Sequence, residues 1–305
     1  MLSNGRTTML SKETAMDGVG LFVLDMDGTI YLGDEPIKGA LEFVREVEAS
    51  NDRDYILFTN NASKVPAVYV EKLHRMGLDV PLHKIVTAGD VCALYIMNNW
   101  PGGRVYLNGT PLLMENWRSM NIHLVDEDPD VAVQSFDTTL TYEKLVKICD
   151  FVRRGVPFLA THMDINCPTE TGYIPDCGAM CSLITASTGV SPRYLGKPWK
   201  ETVDMIEQLT AYEPCEMAFV GDRLYTDVAT GVRNGAKGFL VLTGEATMQT
   251  VRESDVVPTC IYESLDEMRK YLQVEGMCGA AHYVSVIRSL FLQCLCTSLT
   301  GGYFS

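Results

Sequence analysis

Asp25 and Asp27 stand two residues apart inside Asp25-Met26-Asp27-Gly28-Thr29. At the end of an extended segment, period-two spacing turns both carboxylates toward one space, and the glycine that follows lets the chain turn sharply. Buried like charges repel, so such a pair calls for a metal ion, a shared proton or both. A solvated turn after a strand is the plainer reading of the same residues. A calcium loop of the EF-hand type also opens Asp-x-Asp. Here, however, its sixth position is Ile30 rather than Gly, and its twelfth is Pro36 rather than Glu.

Three further groups carry chemistry. Thr59, in Thr59-Asn60-Asn61, offers a hydroxyl and neighbouring amides to a phosphoryl oxygen, or equally a helix N-cap. Lys197, in Leu195-Gly196-Lys197-Pro198, reads either as a solvated surface charge or as a cation held by its Gly and Pro neighbours to neutralise phosphate. Asp222 and Asp227 lie in Gly221-Asp222-Arg223-Leu224-Tyr225-Thr226-Asp227. Asp222 ends an apolar run. Asp227 begins a helical pattern, where an acid also gains from the helix dipole.

The elements around these residues explain why they would meet. Gly20-Leu-Phe-Val-Leu-Asp25 is a continuous apolar run, the pattern of a strand buried on both faces. A helical pattern follows over 39–49, with Leu41, Val44 and Val47 on one face. Tyr55-Ile56-Leu57-Phe58 reads as a strand ending at Thr59, and 64–76 as a helix closed by Gly77. The rhythm returns late: a helix over 201–211 with Val203, Ile206 and Leu209, a strand Met217–Val220 ending at Gly221-Asp222, a helix over about 226–234 stopping at Gly235, and a strand Gly238–Leu242. Strand–helix alternation predicts an α/β fold with a doubly wound, Rossmann-like parallel sheet. In open sheets of this kind ligands bind at the carboxyl edge, where each motif lies.

Between the halves runs a middle segment with its own pattern: strands at Arg104–Leu107, Asp130–Val133 and Pro157–Ala160, and an amphipathic helix over 141–154 through Leu145, Ile148, Cys149 and Val152. It reads as an inserted α/β domain, with linkers near 88–90 and 189–194. The expected division is a first core part over 18–88, the insertion over 89–190, a second core part over 191–273, and an extension of open role over 274–305. That extension holds Cys278, Cys294 and Cys296 and an apolar stretch broken by Arg288.

The chain has 305 residues, enough for two domains of ordinary size. Its formal net charge is −14 and it has no Lys/Arg run, which argues against a nucleic-acid polymer as partner. The ten cysteines show no repeated metal-site spacing, Cys177/Cys181 and Cys294/Cys296 included, so reduced and mostly buried thiols are expected. The first 18 residues lack an apolar signal core, and no stretch of 18 apolar residues exists. A cytoplasmic protein with no membrane contact is the expectation.

Taken together, Asp25-x-Asp27-Gly28-Thr29, Thr59-Asn60-Asn61, Gly196-Lys197-Pro198 and Gly221-Asp222-x4-Asp227 resemble the four motifs of the haloacid dehalogenase (HAD) superfamily. The spacing is similar to that of the NagD-like branch, with a large C2-type cap between the second and third motifs. Tyr31-Leu32-Gly33, Thr161-x-x-Asp164 with Pro168, and Thr226-Asp227-x-x-x-Gly231 add to the likeness, which covers roughly 18–272. Gln134-Ser135 stands where the family often has Gly, and His162 where it often has Asn.

The resemblance implies a Mg2+-dependent phosphatase acting on a small phosphorylated metabolite, such as a nucleotide monophosphate, sugar phosphate or phosphoglycolate. It makes Asp25 the nucleophile, which passes through an aspartyl phosphate, and Asp27 the acid–base group. It assigns the metal to the carboxylates of Asp25 and Asp222 and the backbone carbonyl of Asp27. Thr59, Asn60, Asn61 and Lys197 hold the phosphoryl group, and Asp227 orients Lys197 or metal-bound water. Asp164 and Cys167, in the cap segment 161–168, contact the rest of the substrate; a turn is the alternative reading of Asp164 and Asn166. A phosphotransferase and a non-catalytic phosphate-binding protein share this core, and a homo-oligomer through the cap is compatible with it. A metal-free dehalogenase has no need of Asp27 or Asp222.

Overall fold

The computed structural model describes residues 9–169 and 171–272, so the expected extension over 274–305 lies outside the described residues. The chain divides into two compact units. Among the described residues, one takes in 9–60, Tyr69–Ala88 and 196–272; the other takes in Asn61–Val68 and Gly89–Leu195.

The first unit is built on six parallel strands in the order Cys260–Tyr262, Lys237–Val241, Met217–Gly221, Leu21–Leu24, Asp54–Thr59, Ile85–Thr87. Leu21–Leu24 is buried at every residue, as a central strand covered on both faces must be. Each such large apolar side chain contributes about 1.5–3 kcal/mol through burial. On one side the sheet grows through Asp54–Thr59 and on the other through Met217–Gly221, which places the reversal of strand order between Leu21–Leu24 and Met217–Gly221. Leu24 is in register with Val220 on that side and with Leu57 on the other.

The helix Ala40–Ala49 buries Leu41, Val44 and Val47 together with Ala40 and Phe43. Lys200–Thr210 buries Val203 and Ile206 but exposes Leu209. Steps of three residues fall short of a full helical turn, so by its second step an i, i+3, i+6 row has rotated off the buried face. The helix expected over 226–234 begins instead with a π-helical turn, Leu224–Val228, and continues as the α-helix Ala229–Arg233.

The second unit has its own parallel sheet of five strands in the order Arg193–Tyr194, Phe158–Ala160, Val131–Gln134, Arg104–Asn108, His123–Leu124. Side-chain oxygens cap its helices: Thr110 for Pro111–Ser119, Thr141 for Tyr142–Arg153 and Asp176 for Cys177–Thr188. The two expected linkers are ordered structure. Residues 88–90 open the helix Ala88–Asn99, where Asp90 suits the first turn. Arg193–Tyr194 pairs with Leu159 and Ala160 as an edge strand. An antiparallel hairpin, Asn166–Thr169 with Gly172–Pro175, follows the strand Phe158–Ala160. No helix among the described residues is long and apolar enough to cross a membrane. The described cysteines are all free thiols.

Candidate active site

Asp25, Thr59 and Asp222 end or directly follow strands of the first unit's sheet at its carboxyl edge, while Lys197 precedes the helix Lys200–Thr210 and Asp227 lies in the turn Leu224–Val228. The Asp25 amide donates to the Val220 carbonyl at 2.8 Å, extending the ladder one residue past Leu24. Met26 then points into the core, while Asp25 is partly buried and Asp27 exposed. The Asp25 carboxylate lies with those of Asp222 and Asp227, while Asp27 is the more exposed of the two acids. Gly28 has φ +82°, and a Cβ there would sit 2.4 Å from Asp222 Oδ2, so the position needs a residue without a side chain. The turn closes with the Gly28 amide donating to the Tyr31 carbonyl at 2.8 Å, at the start of the short hairpin Tyr31–Leu32 with Glu35–Pro36.

Lys197 is the hub. Its Nζ donates to Asp25 Oδ1 at 2.6 Å and to Asp227 Oδ1 at 2.6 Å, with the Phe58 carbonyl at 3.5 Å. Its backbone is gripped from both sides by Asn60, whose Oδ1 accepts from the Lys197 amide at 2.9 Å and whose Nδ2 donates to the Lys197 carbonyl at 3.2 Å. The Lys197–Pro198 peptide is cis. Thr59, buried, ends the strand that delivers Asn60. Asp227 Oδ2 accepts from the Arg223 amide at 3.1 Å, and the π-helical turn at 224–228 is what folds Asp227 back beside Gly221.

Burial raises the Asp25 carboxyl well above the usual carboxylate range, against the pull of Lys197. It raises Asp222 to about 6, helped by the charge of Asp227 and opposed by the Glu245 amide. Burial alone would depress Lys197; Asp227 and Asp25 outweigh it and hold the ammonium charged. One buried lysine thus faces several carboxylates, which leaves an excess of negative charge. Oxygens of Asp25, Asp222 and Asp227 lie within 4.8 Å of one another, and Asp222 Oδ1 is buried with no hydrogen-bond partner. An orphaned carboxylate oxygen among crowded acids fits a hard divalent cation, which takes oxygen donors.

The remaining expected residues belong to the second unit. Asn61 Nδ2 lies 3.9 Å from Cys167 Sγ, joining the second motif to the hairpin strand Asn166–Thr169. Asp164 is buried in a cluster with His162 and Asp176. The departures from the family pattern are absorbed by buried hydrogen bonds. Gln134 Oε1 accepts from Asn108 Nδ2 at 3.1 Å, Gln134 Nε2 donates to the Ser135 carbonyl at 2.7 Å, and His162 Nε2 bonds Asp176 Oδ1 at 2.8 Å.

Sequence reasoning missed the loop after Lys237–Val241, where Thr243 Oγ1 donates to the Gly28 carbonyl at 2.6 Å and the Glu245 amide to Asp222 Oδ2 at 2.7 Å. The strand itself is legible. Its polar end, Thr-Gly-Glu at the same sheet edge as the four motifs, is the signal that points to this loop.

A doubly wound parallel sheet with acids and a buried lysine gathered at the switch-point edge is the architecture of a hydrolase that acts on anionic substrates. The chain belongs to the haloacid dehalogenase-like hydrolases, in the NagD-like branch. A family model of that description matches residues 22–123, and a second, HAD-hydrolase-like model matches residues 194–268. An acid sugar phosphatase of Staphylococcus aureus is 34% identical over 249 residues, which is 81% of this chain and 95% of that protein. A 4-nitrophenylphosphatase from Thermotoga maritima has a solved structure that matches with a TM-score of 0.82 and 41% identity, over 85% of this chain and 99% of that one. A glycerol phosphate phosphatase from Mycobacterium tuberculosis, solved in complex with calcium, matches with a TM-score of 0.76 and 26% identity, over 83% and 76% of the two chains.

Proposed function

We propose that this chain, a phosphoric monoester hydrolase, works through covalent phosphorylation of Asp25. An Asp25 oxygen attacks phosphorus and the P–O bond to the leaving group breaks. Asp27 donates its proton to the departing oxygen. The same carboxylate then takes a proton from water, whose oxygen attacks phosphorus, breaks the acyl-phosphate bond and restores Asp25. The exposure of Asp27, against the burial of its neighbours, suits a group that must meet first a leaving group and then water. Lys197 balances charge on the transferring group while it fixes Asp25, and Asp227 holds Lys197 in place. The Asn60 side chain is committed to the Lys197 backbone, and the binding of phosphoryl oxygens is assigned to Thr59 and the Asn60 amide. The single observation that carries this reading is the Lys197 bridge, 2.6 Å to each of two acids at one sheet edge.

Asp25 and Asp222, with the Asp27 carbonyl, would hold the cation, and magnesium is proposed because the cluster offers only oxygen. When bound, it offsets the repulsion between Asp25 and the phosphoryl oxygens and keeps Asp25 an anion. The substrate class we favour is a small sugar or polyol phosphate, which agrees with the names of the relatives. Asn61, Asp164 and Cys167 are proposed to select the leaving group. A cytoplasmic location and assembly through the second unit remain proposals on the same footing.

The test is Asp25→Asn, nearly isosteric but without the attacking charge. It should abolish turnover and, in acid-quenched samples, the phosphorylated-enzyme mass seen for the parent. Turnover retained in a pure, folded sample overturns the covalent mechanism.

A further inference from the structure

The loop that follows Lys237–Val241 makes no contact that the reaction as proposed needs, yet it touches the site at three points. The Glu245 amide donates to Asp222 Oδ2 at 2.7 Å, and the Ala246 amide donates to the Asp222 main-chain carbonyl at 3.1 Å. Thr243 Oγ1 donates to the Gly28 carbonyl at 2.6 Å, one peptide past Asp27. Gly244, between them, lies so close to Asp222 that a Cβ would stand 2.0 Å from Oδ2. From the solvent side, Arg223 Nε pairs with Glu245 Oε2 at 2.9 Å and ties the loop to the residue after Asp222.

These contacts have a directional consequence. A carboxylate can rotate about its last bond and present either oxygen. The Glu245 amide occupies Oδ2, while Oδ1 is buried with no partner, so the loop has selected which oxygen of Asp222 stays free. A threonine hydroxyl on the Gly28 carbonyl likewise limits rotation of the peptide next to the Asp27 carbonyl. One donor of the loop therefore sets an oxygen assigned to the cation and a second fixes the peptide that follows another, although the loop supplies no ligand itself.

We propose that Thr243-Gly244-Glu245 is a positioning element of the hydrolase site: the Thr243 hydroxyl and the Glu245 amide hold the Asp27–Gly28 turn and Asp222 in cation-binding geometry. The proposal rests on the reading of Asp25, Asp27 and Asp222 as a divalent-cation site. Groups that orient metal ligands typically change metal affinity by about 10–100-fold when removed. Thr243→Val keeps the shape and loses the donor. Thr243→Ser keeps the donor and loses a methyl group. Gly244→Ala places a methyl group against the Asp222 carboxylate.

The experiment measures Mn2+ binding to the full chain by titration calorimetry, with thermal unfolding of the metal-free proteins alongside. The expected result is Thr243→Val weaker than the parent by about 10-fold or more at nearly unchanged metal-free Tm, Thr243→Ser close to the parent, and Gly244→Ala weaker still. If Gly244→Ala does not fold, the Thr243 pair decides alone. Equal Mn2+ affinity of Thr243→Val and the parent overturns the proposal and leaves the cation site standing. A loss in Thr243→Ser equal to that in Thr243→Val also overturns it, because the hydroxyl would then not be the agent. Absence of Mn2+ binding by the parent chain removes both the proposal and the cation site on which it rests.

Discussion

His162 gives the second unit a stability that depends on pH in a calculable direction. Its ring is fully buried, with Nε2 at 2.8 Å from Asp176 Oδ1 and Nδ1 at 3.0 Å from Thr161 Oγ1. Burial favours the neutral ring. The charge of Asp176, reinforced by Cys177, the Asp176 hydrogen bond and Asp164, outweighs it and raises the pKa from 6.5 to about 9. A shift of that size corresponds to about 3 kcal/mol of preference for the charged ring in the folded state. For His162 the folded chain then binds more protons than the unfolded chain between these values, so its contribution falls as pH rises, whereas Cys177, which burial raises but the Cys181 hydrogen bond and the His162 charge lower to about 7, contributes in the opposite sense above that value. The His162 contribution is fully present below about pH 6.5, declines through the interval and is gone above about pH 9.

The assay is urea unfolding of the parent and of His162→Gln across that range. Gln keeps a polar side chain but cannot titrate. The variant should be less stable at about pH 6, and the gap should narrow by up to about 3 kcal/mol by about pH 10, leaving the pH-independent cost of the lost ring contacts. Parallel pH profiles for the two proteins, or a gap that widens with pH, would refute the reasoning. The structural cost of losing either partner is separate. Asp176 Oδ1 also accepts from the Cys177 amide at 2.6 Å as the helix cap, so Asp176→Asn should destabilise at every pH.

The other expected outcomes concern the reaction and its limits. Exhaustive chelation with EDTA should stop turnover and Mg2+ should restore it, whereas Ca2+, with its looser and larger coordination, should restore it poorly; activity that survives chelation removes the cation assignment. Replacing Asp164 or Cys167 should change relative rates across a panel of sugar, polyol and nucleotide phosphates more than the rate on 4-nitrophenyl phosphate, and a uniform loss would remove both from the specificity argument. Ending the chain after Leu272 should leave kcat/KM nearly unchanged, because every proposed site residue lies before that point; a large loss in folded protein would place part of the site in the residues removed.

The core of this fold was legible because its strands are short apolar runs that end in polar residues. Leu21–Leu24, Asp54–Thr59 and Met217–Gly221 all carry that signature, and the residues after them are the site. Ile85–Thr87 and Cys260–Tyr262 are three residues each, too short to register as periodic segments against their surroundings. Arg193–Tyr194 reads as linker for the same reason: a two-residue edge strand needs no apolar pattern. The π-helical turn at 224–228, which brings Asp227 back toward Lys197, has no sequence period of its own. Asn61 shows the other limit. Its neighbour Asn60 belongs to the first unit and Asn61 to the second, a division that motif spacing does not reveal.

The way Lys197 is held bears on why so much of the site is buried. An ammonium in that position must be desolvated, and with one acid alone the pairing would seldom balance the loss of water. Here two carboxylates flank it, and each has a different second obligation. On the proposed mechanism Asp25 has to be released for attack, whereas Asp227 stays fixed by the Arg223 amide. Phosphorylation replaces the Asp25 carboxylate by an acyl phosphate whose anionic phosphoryl group lies beside Lys197, and Asp227 is the carboxylate that holds the ammonium in place through both steps. Asp227→Asn should therefore impair hydrolysis of the intermediate as well as its formation, because Lys197 loses the carboxylate that fixes it against the phosphoryl group in both steps. Rapid-quench measurement of the phosphoenzyme separates the two steps. A variant slowed only in formation, with the parent's rate of phosphoenzyme breakdown, would show that Asp227 serves the first step alone.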